Sequence, residues 1–173
     1  MTVDNLILVL GGARSGKSRH AEALVGAAPA PWHYIATAEA LDDEMRRRID
    51  EHRSRRGAGW QTVEAPLDLA AALDAVPAGA PVLIDCLTLW LSNLMLAGRA
   101  TGPAEDALIA ALERRRGLTV LVSNEVGTGI VPENRLARDF RDAAGNLHRR
   151  VAAIAQHVHF MVAGIPTIVK GPR

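Results

Sequence analysis

The spacing of apolar positions switches repeatedly between a continuous run and a three-to-four-residue step, and each switch marks an element. Leu6-Ile7-Leu8-Val9-Leu10 is a short unbroken apolar run, the pattern of a strand covered on both faces. After a glycine-rich turn, Ala21, Leu24 and Val25 recur at helical spacing before Gly26, and Pro29-Ala30-Pro31 closes the segment, so a helix is predicted over 17–27. A second strand is predicted over 32–37. A helix over 42–56 follows, with Asp42, Asp43 and Glu44 at its start and Arg53, Arg55 and Arg56 at its end, where the helix dipole favours them. Met45, Ile49 and His52 share one face of it. Gly57 and Gly59 stop that helix, and 60–64 reads as a short strand before Pro66.

The second half repeats the alternation. Leu67, Leu69, Ala70 and Leu73 predict a helix broken by Pro77-Ala78-Gly79-Ala80-Pro81, and Val82-Leu83-Ile84-Asp85 predicts a strand. An apolar helix over 87–96 is separated by 99–103 from another that ends near 115. Residues 118–123 form a further buried strand. Pro132-Glu133 opens a long helix whose apolar positions Leu136, Phe140, Ala143, Leu147, Val151 and Ile154 step by three or four, and 157–162 and 165–169 are closing strands. No internal repeat or low-complexity tract interrupts the series. Strands alternating with helices predict a three-layer α/β domain with a mainly parallel sheet, one domain over 1–173.

Composition narrows the classes. With 173 residues, 49% of them apolar, the chain is long enough for one well-buried core. A net charge of +1 with 23% charged residues gives no support to wholesale nucleic-acid or acidic-membrane binding. The lone Cys86 excludes an internal disulfide and a cysteine metal cluster, in keeping with a reducing compartment. Met1-Thr2-Val3-Asp4-Asn5 lacks the basic stretch and apolar core of a signal peptide. The apolar stretch 87–97 is interrupted by Ser92 and Asn93 and is too short to span a bilayer. A cytoplasmic location without membrane insertion is expected.

The candidate chemistry begins at Gly11-Gly12-Ala13-Arg14-Ser15-Gly16-Lys17-Ser18. Gly-x-x-x-x-Gly-Lys-Ser between a strand and a helix fits a phosphate-binding loop, whose glycines let backbone N–H groups turn inward around a polyphosphate. There Lys17 reaches the β- and γ-phosphates, Ser18 ligates Mg²⁺, and the helix presents its positive end to the anion. Asp85 ends an apolar strand as the Mg²⁺-serving aspartate of such proteins does, or it is a strand-end cap. Glu125 follows another strand and has three readings: orienting a substrate, assisting proton transfer, or capping the next turn. His52 lies one turn after Arg48 and one before Arg56, beside Arg53 and Arg55. Those cations favour a neutral, nucleophilic imidazole and attract phosphate; the alternative is a half-buried helix residue beside a solvated basic helix end. His157 and His159 share one strand face, which without a third ligand reads as solvated rather than as a metal site. Arg135 with Asp139 and Arg138 with Asp142 read as surface i,i+4 pairs. These residues together describe a nucleoside-triphosphate-binding enzyme or switch.

The ordered set Gly11–Arg19, Tyr34-Ile35-Ala36-Thr37-Ala38, Asp43-Glu44-Met45 with Arg48-Ile49 and His52, and Asn124-Glu125-Val126-Gly127 with Gly129-Ile130-Val131-Pro132 resembles the bifunctional adenosylcobinamide kinase / adenosylcobinamide-phosphate guanylyltransferases of cobalamin biosynthesis. That resemblance implies a P-loop NTPase-like fold and two reactions. Adenosylcobinamide is phosphorylated by ATP or GTP, and GMP is then transferred from GTP, through a guanylylated histidine, to give adenosylcobinamide-GDP. Carried over by position, it implies Gly11, Gly12, Ala13, Arg14, Ser15, Gly16, Lys17 and Ser18 at the GTP phosphates. Ala36, Thr37 and Ala38 line the nucleotide site, His52 is the nucleophile, and Arg53, Ser54, Arg55, Arg56, Glu64 and Asp85 contact GTP or its metal. Where some members carry two adjacent histidines this chain has Glu51-His52. No Asp-x-His-x-x-Gly stretch is present, so the corrinoid is a substrate and not a prosthetic group. A homotrimer is implied as well. The rival readings are a simple small-molecule P-loop kinase, in which His52 is structural, and a GTP-binding switch.

Overall fold

A computed structural model of the chain describes residues 5–39, 43, 46, 47, 49, 50, 54 and 56–172. In chain order the elements are β1 (Leu6–Gly11), α1 (Lys17–Gly26), β2 (Trp32–Ala36), β3 (Trp60–Glu64), α2 (Leu69–Ala75), β4 (Val82–Asp85), α3 (Leu87–Leu96), α4 (Thr101–Arg114), β5 (Thr119–Asn124), α5 (Arg135–Ile154), β6 (His157–Val162) and β7 (Ile165–Lys170). The strands form one sheet in the order β3-β2-β4-β5-β1-β6-β7. Every pair is parallel except the β6–β7 hairpin.

The unbroken apolar runs follow from coverage on both faces. Successive strand residues point to opposite sides, so both sides of a strand between helical layers must be apolar. Leu8, Ile35, Ile84 and Leu121 face one core, with Leu73 of α2, Trp90 and Leu94 of α3, Leu108 of α4 and Leu147 of α5. Val9, Tyr34, Leu83, Val120 and Val122 face the other, against Ala21 and Val25 of α1. Each fully buried leucine in these layers stabilises the fold by about 1.5–3 kcal/mol. The result is the expected three-layer α/β arrangement with a mainly parallel sheet.

Strand order decides where chemistry collects. β1 lies between β5 and β6, and the register sets Gly11 beside Asn124 and Ala36 beside Asp85. The carboxyl ends of β1, β2, β4 and β5 therefore share one edge, the edge at which open α/β sheets bind ligands.

Several expectations need correction. Thr37 is not in β2, because its side chain is engaged with Cys86 instead of continuing the strand. Thr101, Gly102 and Pro103 form the first turn of α4, not a separator; proline is tolerated there because first-turn N–H groups have no helical partner. The long helix starts at Arg135, not Pro132, because Asn134 caps it by accepting from Leu136 N and Ala137 N. Leu136 is 51% exposed, and the buried stripe of α5 is Ala144, Leu147, His148 and Val151. Arg138 donates to the carbonyls of Pro132 and Glu133 while Asp142 pairs with Arg141, so the expected Arg138–Asp142 pair is replaced; Arg135–Asp139 is present at 3.6 Å. His159 is buried, not on a solvated face: its Nδ1 meets His20 Nε2 at 2.9 Å, so each ring has a nitrogen engaged by the other. Of the helix expected over 42–56, Asp43, Arg46, Arg47, Ile49, Asp50 and Ser54 are helical. Asp42, Glu44, Met45, Arg48, His52, Arg53 and Arg55 lie outside the described residues.

Candidate functional site

The turn after β1 has a backbone that few residues tolerate. Gly16, at the N-cap of α1, has φ 89°, and a Cβ on it would stand 3.2 Å from Gly164 Cα. A Cβ on Gly11 would meet Ser15 Oγ at 2.5 Å. The turn is braced from outside: Gly164 N donates to Ser15 O at 3.0 Å. Ala163 and Gly164, at φ 51° and 82°, make the tight turn of the β6–β7 hairpin, so the last two strands support the loop. Ser15 Oγ is buried without a hydrogen-bond partner in the protein, a spare donor in a loop built for an anion.

Lys17 opens α1 and is 8% exposed. Its Nζ donates to Gly12 O at 2.7 Å, which holds the ammonium across the mouth of the loop. Burial lowers its pKa from the ordinary lysine value, and Cys86 and Asp85 pull it back up. Two cavities meet at this residue. A cleft of about 940 Å³ is lined by Ala13–Arg19 together with Thr88, Leu89, Ser92, Asn124, Glu125, Val126 and Phe140. A smaller cavity of about 230 Å³ is lined by Tyr34, Ala36, Ala38, Ile49, Arg56, Thr62, Glu64, Asp85 and Cys86. Lys17, Ser18, Leu89 and Asn124 belong to both.

The residues implied by resemblance divide between the two cavities. Ala13, Arg14, Ser15, Gly16, Lys17 and Ser18 line the larger, with Gly11 and Gly12 leading into the loop. Ala36, Ala38, Arg56, Glu64 and Asp85 line the smaller. Thr37 is fully buried, and its hydroxyl both accepts from Cys86 N at 2.8 Å and donates to Cys86 O at 2.7 Å. Its side chain fixes the chain after Asp85 and is not itself in the lining, which holds Ala36 and Ala38 on either side of it. Ser54 is exposed and helical, while His52, Arg53 and Arg55 fall outside the described residues.

Asp85 accepts a hydrogen bond from Tyr34 Oη at 3.1 Å, and the Arg56 guanidinium lies 3.5 Å from the centre of the Tyr34 ring. Burial, then Asp85, raises the Tyr34 pKa, so the phenol stays protonated as a donor. Burial likewise pushes the Cys86 thiol up to about 11, which removes it as a nucleophile at neutral pH. Asp85 and the Ser18 hydroxyl border one cavity with Lys17: two hard oxygen donors and a cation beside a phosphate loop, a donor set suited to a magnesium-bound polyphosphate.

Other polar residues at the sheet edge stand apart from the candidates drawn from the sequence. Asn124 Nδ2 donates to Thr88 Oγ1 at 2.9 Å, and Asn93 Nδ2 donates to Thr37 O and Pro66 O at 2.8 and 3.1 Å. Ser123 Oγ, fully buried, lies 2.6 Å from His148 Nε2, and His148 Nδ1 is 4.0 Å from Glu125 Oε2. Burial lowers the His148 pKa and Glu125 raises it. Thr88 and Asn93 sit in an apolar helical pattern where their polarity is the only local signal, and His148 falls within the stripe of α5. Among the described residues no three His, Cys, Asp or Glu side chains group to hold a metal ion, and no helix is long and apolar enough to cross a membrane.

Solved structures share this architecture at low identity. The P4 protein of bacteriophage phi6, solved with ADP, gives a TM-score of 0.51 at 14% identity, covering 94% of this chain and 54% of that one. The VirB11 ATPase of Brucella suis, solved with sulphate, gives 0.51 at 16%, covering 96% and 47%. The likeness concerns fold alone and places the chain among α/β P-loop folds. Sequence relatives are far nearer. The bifunctional adenosylcobalamin biosynthesis protein CobP of Pseudomonas aeruginosa is 51% identical over 168 residues, covering 95% of this chain and 96% of the relative. CobU of Salmonella typhimurium, which carries the same description, is 47% identical, with 95% and 99% covered. With the model for cobinamide kinase / cobinamide phosphate guanyltransferase matching residues 7–169, from β1 through nearly all of β7, the chain belongs to that enzyme family.

Proposed function

We propose that this chain performs both reactions, phosphorylating adenosylcobinamide with ATP or GTP and then passing GMP from GTP to adenosylcobinamide phosphate through a histidine–GMP intermediate on His52. The observation that carries the reading is a single phosphate loop with a cavity on each side of Lys17 and Ser18, in a chain that the family model matches over 7–169. One triphosphate site so placed serves attack at either end of the nucleotide.

In this reading Gly11 to Ser18 cradle the phosphates, and the backbone N–H groups at the start of α1 and Lys17 take up charge on the leaving diphosphate or pyrophosphate. Ala36, Ala38, Arg53, Ser54, Arg55, Arg56 and Glu64 hold the nucleotide, and Thr37 holds the chain between Ala36 and Ala38 in place. Ser18 and Asp85 would hold a Mg²⁺ ion, which would supply charge neutralisation to the polyphosphate. Tyr34, kept protonated, orients the Asp85 carboxylate. The neutral His52 imidazole attacks the α-phosphorus, and the resulting phosphoramidate passes GMP to the substrate phosphate. The reading includes a cytoplasmic homotrimer; exposed Ile165, Ile168 and Val169 on the outer strand β7 support contact between copies.

The test is product analysis. Adenosylcobinamide with γ-labelled nucleotide yields labelled adenosylcobinamide phosphate, and further GTP yields adenosylcobinamide-GDP. A simple kinase stops at the first product, and a switch releases labelled phosphate without making either.

A further inference from the structure

The larger cleft carries a carboxylate that the reaction above leaves without a task. Glu125 follows directly on β5, and its backbone N–H donates to Gly11 O at 3.0 Å, tying it to the first glycine of the phosphate loop. Its side chain is held at one oxygen and faced at the other. Oε1 accepts from Gly127 N at 2.5 Å, and Oε2 faces His148 Nδ1 at 4.0 Å, too long for a hydrogen bond but within charge–dipole range. His148 is fixed in turn by Ser123 at 2.6 Å. The tautomer with Nδ1–H toward the carboxylate and Nε2 accepting from the Ser123 hydroxyl suits both contacts. One oxygen is therefore committed to the turn while the other stays available in the cleft.

We propose that Glu125 is the catalytic base of the phosphorylation step and that His148, anchored by Ser123, is the residue that positions it. The assignment rests on the reading of the chain as an adenosylcobinamide kinase. The nucleotide-side residues Arg56, Glu64 and Asp85 occupy the smaller cavity, so the acceptor approaches the γ-phosphate from the other wing, where Val126 and Phe140 offer apolar surface for its bulk. As the acceptor oxygen bonds to the γ-phosphorus, the bond from that phosphorus to the β,γ-bridging oxygen breaks and the nucleoside diphosphate leaves with the electron pair. The hydroxyl proton moves to Glu125 Oε2 and then to solvent through the open cleft. The charged groups around Glu125 are His148 from α5 and, lining the same cleft, Arg14, Lys17 and Arg19 from the loop and α1.

Two variants test the pair. Glu125→Gln keeps an oxygen for the Gly127 N–H and removes the base. It lowers kcat for phosphorylation of adenosylcobinamide by about 10²- to 10⁴-fold, the range for loss of a general base, with little change in nucleotide KM. Labelling of the protein by α-labelled GTP persists in it. His148→Gln leaves an amide near the Nε2 position and nothing at Nδ1, so kcat for phosphorylation falls by about 10- to 100-fold as the carboxylate loses its orientation, with nucleotide KM and α-labelling unchanged. A Glu125→Gln enzyme within about threefold of wild-type kcat overturns the assignment, as does equal loss of phosphorylation and of α-labelling, which marks a shared nucleotide-binding role. A wild-type kcat in His148→Gln, or a loss shared equally by phosphorylation and α-labelling, overturns the positioning role. A wild-type chain that does not phosphorylate adenosylcobinamide overturns the parent reading, an outcome distinct from each of these.

Discussion

Lys17 and Asp85 line the same cavity, and in the proposed function one serves the phosphates and the other their metal. The lysine is desolvated, and the aspartate has one oxygen engaged by the Tyr34 hydroxyl. Asp85→Asn keeps an acceptor for Tyr34, so the fold survives, but it removes the charge that complements Mg²⁺. The Mg²⁺ concentration for half-maximal turnover then rises by about tenfold or more, the lower end for a disturbed metal site. Measured by Mg²⁺ titration, an unchanged requirement leaves Asp85 as a structural cap. Glycine, lysine and serine at fixed spacing announced the loop in the sequence, because that backbone has few chemical solutions. Thr37 is implied at the nucleotide site by resemblance alone, and its hydroxyl satisfies the Cys86 backbone, a partner 49 residues away that no local pattern encodes.

Between elements, the phosphate loop depends on more than its own strand and helix. The β6–β7 turn holds it through Gly164, and β5 holds it through Glu125 N on Gly11 O. α5 brings Phe140 to the cleft and His148 to Ser123, so its starting point fixes the phase of both side chains. The Asn134 side chain sets that start with bonds of 2.8 and 3.4 Å to Leu136 N and Ala137 N. Asn134→Ala costs about 1 kcal/mol and lowers Tm by about 2–4 °C for a domain of this size, read by thermal unfolding. An unchanged Tm removes the cap from the account. The helix is legible from its stripe, but Pro132, a first-turn residue by preference, competes for its start, and the fold uses the side chain that can accept from two N–H groups. Pro103 misled in the opposite direction, marking a break where it lies inside a first turn.

Across the whole molecule, alternation of buried strands and amphipathic helices made the layered architecture readable. The insertion of β5 between β4 and β1 was not readable, since strand order depends on which helices cover which face. That order brings Asp85 and Asn124 to the same edge as the loop. The fold also encloses histidines with a collective effect on stability. His20, His148 and His159 all have pKa values lowered from 6.5 chiefly by burial, so below about pH 6.5 the unfolded chain binds more protons than the native one. Their contribution is fully present above that pH and is lost as pH falls, so Tm declines from pH 7.5 to 5.5, and His159→Gln flattens the decline. A Tm independent of pH over that range contradicts the burial argument. In the proposed function two chemistries share one phosphate loop and are joined by a covalent relay on His52. Its direct measurement is incubation of the protein with GTP labelled in the α-phosphate. The predicted result is a protein-bound label that is acid-labile and alkali-stable, absent with γ-label and abolished in His52→Asn, a variant that loses guanylyl transfer by roughly 10⁴-fold or more yet still phosphorylates adenosylcobinamide. Label that persists in His52→Asn contradicts the account.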